Sequence, residues 1–329
     1  MSKNYGALDI FRPLAAILVI AIHTPPLEDI STGWDFFAVH ILARLAVPFF
    51  FMVTGRFLDF SKPWKYIKKM AVIYLGTVVL YLPLGIMGGE FSGANPLTLL
   101  KMLVFDGTYY HLWYFPALIT GVLILHLLTK RLSVTQILPI CGALYLIGLL
   151  GDSWYGFAEG VPVLSNIYDG IFAVSSYTRN GVFMAPMFLA LGMLAGKKKF
   201  TNDRFFLWCF MASFMLMTVE AELLKNYGAP RHDSMYLLLP LCSFCLFRLL
   251  TVPNTAPRPA LRSIAAAVYV LHPLVIGVVR RIPVSFIAEK SLPRFAVSAV
   301  LSFAAAICLR LITELVTRKL RAKRQGRAG

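Results

Sequence analysis

The chain has 329 residues, of which 58% are hydrophobic and only 15% charged, and its mean hydropathy is +0.70. That composition excludes an ordinary soluble domain and points to a multi-spanning helical membrane protein. A net charge of +16 would suit a nucleic-acid partner on a soluble surface, but its distribution along this chain argues against one.

Ten apolar spans are predicted, at about 8–25, 36–58, 67–88, 112–129, 134–151, 180–196, 203–223, 234–252, 263–281 and 293–316. The first contains FRPLAAILVIAIH. Its Arg12 and His23 are eleven residues apart, or roughly three turns, so they share one helix face about 16 Å apart along the axis. HTPPLEDIS follows without a small-residue cleavage site, so this is a retained span and not a cleaved signal. In the second span, ILARLAVPFFFMVTG places Arg44 deep in apolar sequence, where it needs an internal partner such as Glu220 or Asp152. Pro48 and Gly55 nearby predict a kink and a close helix approach.

YYHLWYFPALI opens the fourth span. Trp113 and Tyr114 fit an interfacial aromatic belt, which leaves His111 to be explained. TRNG and RHDSMYL stand at the starts of the sixth and eighth spans, where Asn180 and Asp233 make sensible N-caps and Arg179 and His232 remain for ligand contact. Glu220 and Glu222 are costly charges in the seventh span. In the ninth, VYVLHPLV sets His272 before Pro273, whose missing N–H frees a carbonyl one turn back for the imidazole or a water to meet. The connections at about 89–111 and 152–179 are long and rich in aromatics, Gly, Asn and Asp, so they are expected to carry function or cap a cavity.

With the N-terminus in the cytoplasm, 23 of the 32 basic residues fall on the cytoplasmic side, which puts both termini there. The positive charge then serves topology and contact with anionic lipids, not nucleic acid. Residues 1–317 form the transmembrane domain, and the basic tail 318–329 reads either as a linker to a cytoplasmic part or as a plain positive-inside tail. The five cysteines lie in apolar surroundings as small buried hydrophobes, the Cys242–Cys245 C-x-x-C included. No zinc pattern, G-x-S-x-G elbow, P-loop or G-x-G-x-x-G occurs, and no metal is expected.

The Arg-x10-His of the first span, RLAVPFFFMVTGRFL, HLWYFPALI and a late YVLHP, in that order, resemble the acyltransferase-3 family of integral membrane proteins over nearly the whole chain. More narrowly, YHLWYFPALITG, LYLIGLLGDSWYG, TRNGVF and HDSMYLLLP look like the membrane module of VanT-type serine racemases from D-Ser-dependent vancomycin resistance. The resemblance implies an all-α bundle of about ten transmembrane helices in a bacterial plasma membrane. It implies two activities. One is binding and uptake of L-serine for a cytoplasmic racemase domain that lies outside this chain and would alone hold pyridoxal phosphate. The other is O-acyl transfer from cytoplasmic acyl-coenzyme A to an outward-facing hydroxyl, with Arg12 near the donor's phosphates and His23 as general base. A passive membrane anchor is the third reading. For serine, a zwitterion, the candidate binding set is Arg44, His111, Trp113, Arg179, Asn180, Glu220, Asp233 and His272, with Arg179, Glu220 and Asp233 grouped at the outer face.

Overall fold

The computed structural model describes residues 5–197, 203–251 and 255–325, with side chains as far as Leu320. Lys3, Lys198 and Lys199 of the inner charge set, the first three residues of VPNTAPRP and the last four tail residues lie outside the described residues, as do the side chains of Arg321, Lys323 and Arg324. All regular structure among them is helical. The chain begins with α1 (Gly6–His23) and α2 (Thr32–Phe36). A π turn (Phe37–Ile41) and a 3-10 turn (Leu42–Leu45) then lead into α3 (Ala46–Phe57). Next come α4 (Trp64–Met87), α5 (Pro96–Lys101), α6 (Tyr114–Thr129), α7 (Val134–Leu150), α8 (Tyr155–Glu159) and α9 (Pro162–Val174). The remainder are α10 (Ala185–Lys197), α11 (Asp203–Asn226), α12 (Leu239–Leu250), α13 (Pro259–Val279), α14 (Ser285–Ala288) and α15 (Ser291–Gln325).

Each of the ten predicted runs contains helical structure, which in 180–196 and 234–252 begins only at Ala185 and Leu239. Among the described residues, six segments are long and apolar enough to cross a membrane: Gly6–His23, Thr32–Phe57, Trp64–Met87, Asp203–Asn226, Pro259–Val279 and Ser291–Leu320. α6, α7, α10 and α12 are apolar but shorter. Large apolar side chains such as Val79, Trp208, Met215 and Val300 stand exposed on the long helices, as lipid contact requires. The irregular turns of the second segment lie ahead of Pro48 and carry Arg44. The two long connections hold helices of their own. Asn95 caps α5 by accepting the Thr98 amide at 2.8 Å, and proline occupies the first turn of both α5 and α9. α15 runs on as a helix into the predicted tail.

The chain forms two compact units. Unit 1 joins Met1–Ala46 to Leu250–Gly329. There α1, α13 and α15 pack through Ala16, Ile20, Ala265, Val268, Ile276 and Ala306, small and β-branched side chains that let the helices approach closely. Gly6 lies directly against the Ala256 carbonyl, and its amide donates to Thr255 O at 3.2 Å.

Unit 2, Val47–Leu249, is organised around α10, which is buried on nearly every face. A Cβ on Gly55 would overlap the Leu189 backbone and one on Gly192 the Met52 backbone, so the close approach predicted at Gly55 is the crossing of α3 and α10. Ties between the two long connections hold one end of this unit. Lys101 Nζ donates to Phe172 O at 2.7 Å, and the Ser176 amide donates to Asp106 Oδ1 at 2.8 Å.

Candidate functional site

In unit 1 the two poles of α1 are built differently. At the N-terminal pole Asp9 is buried, and Arg262 donates to its carboxylate from Nε at 2.7 Å and Nη2 at 2.9 Å. The Arg258 amide donates to the same carboxylate at 2.9 Å, and Arg12 Nε lies 3.5 Å from it. Asp9 therefore fixes two guanidinium groups, a layout that suits a phosphate or carboxylate ligand. Neither Asp9 nor Arg262 stands out in the sequence, although Asp9 lies three residues before Arg12 on the same helix face.

At the opposite pole the ring of His23 stacks on that of His272, with centroids 5.4 Å apart and planes 25° apart. The sequence names both residues but not their meeting. His272 Nδ1 lies 2.9 Å from the Tyr269 carbonyl, the one Pro273 leaves without its helical donor, and 3.1 Å from Val268 O. Two acceptors at Nδ1 assign the proton to that nitrogen and make Nε2 the basic one. His23 is the more accessible ring of the pair, and its carbonyl accepts from Arg280 Nη2 at 3.1 Å. Such a pair can take and hold a proton. Arg44, in the 3-10 turn, has Nη2 3.4 Å from His40 Nδ1, a neighbour one turn back that the sequence reading passes over.

In unit 2 the predicted residues are brought together in part. The guanidinium of Arg179 sits over Tyr177 (4.2 Å) and Trp113 (5.4 Å) and donates to Ser234 Oγ at 3.0 Å. The Tyr177 ring packs on His232 at 4.6 Å. His111 is buried among Tyr81, Tyr109 and Tyr110.

Asn180 acts structurally. Its Oδ1 accepts the Val182 and Phe183 amides at 2.9 and 3.1 Å, capping the turn that leads into α10. Asp233 stands six residues ahead of the first residue of α12, so it does not cap that helix. Glu220 accepts from Trp154 Nε1 (2.9 Å), the Leu237 amide (2.7 Å) and the Leu238 amide (3.4 Å). Asp152, weighed in the sequence only as a partner for Arg44, is the hub of this end. Its carboxylate accepts the Ser234 and Met235 amides at 2.7 and 2.9 Å, and its carbonyl accepts the Arg231 amide at 3.0 Å. At the other end of the unit, Arg56, Lys130 and Lys197 line a cavity of about 490 Å³ with Asp59, Ser61 and His126.

A family model described as an acyltransferase domain matches residues 5–311. An amino-acid racemase of Enterococcus faecalis is 41% identical over 99% of this chain and 48% of its own length. A second amino-acid racemase from that organism is 39% identical over 80% of this chain and 38% of its own length. A serine/alanine racemase of Enterococcus gallinarum is 35% identical over 84% of this chain and 41% of its own length. The chain thus spans about half the length, or less, of the curated relatives it matches. No solved structure matches it at a comparable level.

Proposed function

The chain belongs to the acyltransferase-3 family, and from that premise we propose that it is the membrane module of a VanT-type serine racemase that binds L-serine and takes it up for a cytoplasmic racemase domain. The reading places it in a bacterial plasma membrane with ten spans and both termini inside, and it serves D-serine-dependent vancomycin resistance. The observation that carries it is the 35% identity to a serine/alanine racemase, spread over 84% of this chain but only 41% of that protein. The Arg179 cluster supports it chemically: a guanidinium fixed over aromatic rings is a group suited to recognising a carboxylate.

Purified protein in lipid vesicles should accumulate labelled L-serine above empty vesicles. His23→Ala and Arg179→Ala should each reduce that uptake. Equal accumulation by empty vesicles overturns the transport reading, and unchanged uptake in both variants overturns the assignment of those residues.

The His23–His272 pair favours a second reading, acyl transfer from acyl-coenzyme A to a hydroxyl. Arg12, fixed by Asp9, would meet the donor's phosphates, and His23 would accept the hydroxyl proton. Calorimetry with acetyl-coenzyme A should then show binding that Arg12→Ala abolishes, and no heat at millimolar donor rejects this reading. If both experiments fail, the module is a passive anchor with anionic-lipid contacts.

A further inference from the structure

A hollow of about 490 Å³ opens in unit 2 between α8, α9 and the turn that follows α11. Its frame is tightly built. Gly228 takes φ +64°, in the left-handed region, to turn the chain. The Gly156 amide then donates to Ala229 O at 2.7 Å, and a Cβ at Gly156 would strike the Ala229 backbone. The Arg231 amide is held by the Asp152 carbonyl. Backbone hydrogen bonds and a glycine contact therefore fix the walls.

Three charged side chains line this hollow: Arg231, Glu159 and Asp169, all exposed. None of the three makes an ion pair among the described residues. The guanidinium carbon of Arg231 lies over aromatic rings instead, 3.4 Å from the Phe172 centroid and 5.6 Å from that of Tyr155. Stacking occupies the π face of a guanidinium and leaves its in-plane N–H fork for a carboxylate. The two acids that also line the hollow offer acceptors for an ammonium group. A cation and two anions that face one cavity without neutralising each other are complementary to a molecule carrying both charges. The volume falls within the ordinary range for small-ligand sites, about 300–1,000 Å³.

We propose that this hollow captures a free α-amino acid by its zwitterionic backbone, with Arg231 taking the carboxylate and Glu159 and Asp169 the ammonium group. The proposal rests on the amino-acid-handling reading above and supplies it with a docking site distinct from the Arg179 cluster. Because recognition is of the backbone, L-serine, L-alanine and glycine all fit. The hollow carries one more negative than positive charge, so it rejects L-aspartate, whose second carboxylate would face Glu159 or Asp169.

The test is equilibrium binding to the full chain in lipid nanodiscs, with L-serine, serinamide, N-acetylserine and L-aspartate as probes. L-serine should bind, and L-aspartate and N-acetylserine should bind at least about tenfold more weakly. Arg231→Gln should weaken L-serine by about tenfold or more while leaving serinamide, which lacks the carboxylate, unchanged. That unchanged serinamide binding also shows the hollow intact in the variant. Glu159→Gln with Asp169→Asn should weaken both. If L-serine binds wild type and these variants equally, the site is wrong while the serine reading stands. If none of L-serine, L-alanine and glycine binds at about 10 mM, both fall.

Discussion

The two units handle charge in opposite ways. In unit 1 the buried carboxylate of Asp9 is neutralised by side chains, Arg262 and Arg12. In unit 2 the carboxylates of Asp152 and Glu220 accept from backbone amides, and Arg179 and Arg231 lie over aromatic rings. The difference teaches where ligand chemistry is available. An arginine spent on a buried acid is part of the scaffold first. An arginine set over Tyr177 or Phe172, beside a loop pinned by carboxylates, is held in position by aromatic surface.

That contrast can be broken at graded cost. Asp9→Ala should have the largest effect, about 3 kcal/mol of unfolding free energy, because it removes the shared acceptor of two guanidinium groups and a backbone amide at once. Denaturant unfolding in mixed micelles measures it, and Arg262→Ala, at a half-exposed position, should cost less. Glu220→Ala should cost about 2 kcal/mol, since it leaves the Trp154 indole and the Leu237 amide without their acceptor. Glu220→Gln should cost roughly half of that, because an amide oxygen still accepts. Arg179→Ala should lower stability by only about 1 kcal/mol while reducing serine uptake, the signature of a cation placed for binding.

The smallest effect lies with Asp29, outside the helices, whose carboxyl is held below the ordinary carboxylate range by the Ser291 hydroxyl and then the Ser291 amide. A group lowered on folding stabilises fully above its unfolded pKa and loses that contribution as pH falls through the folded one. The thermal midpoint should therefore drop below about pH 4 by an increment that Asp29→Asn removes.

The helices were legible in the sequence because lipid-facing and core-facing residues are both apolar, so each span appears as an uninterrupted run. The short helices α5 and α9 were not, because they lack such runs, although Asn95–Pro96 and Val161–Pro162 carried their start signals. Arg12, His23 and His272 could be singled out because charge and imidazole are costly in apolar sequence. Pro273 even foretold the His272 hydrogen bond. What stayed hidden were the pairings. Asp9 finds Arg262 across 253 positions, and His23 finds His272 across a similar gap, and no local spacing encodes such meetings. Arg231, Glu159 and Asp169 were hidden for another reason: each is an unremarkable surface charge until the turn at Gly228 brings the third to the other two.

The Asp9–Arg262 clasp also sets an order of events during synthesis. Unit 2 is one continuous stretch and leaves the ribosome before the partner of Asp9 has been translated. At about 5–20 residues per second, the first helix waits roughly 10–50 s with its carboxylate unclasped. Unit 1 thus closes after unit 2, and a chain that stalls before Arg262 would leave Asp9 in the first span with Arg12 but without its bidentate clasp.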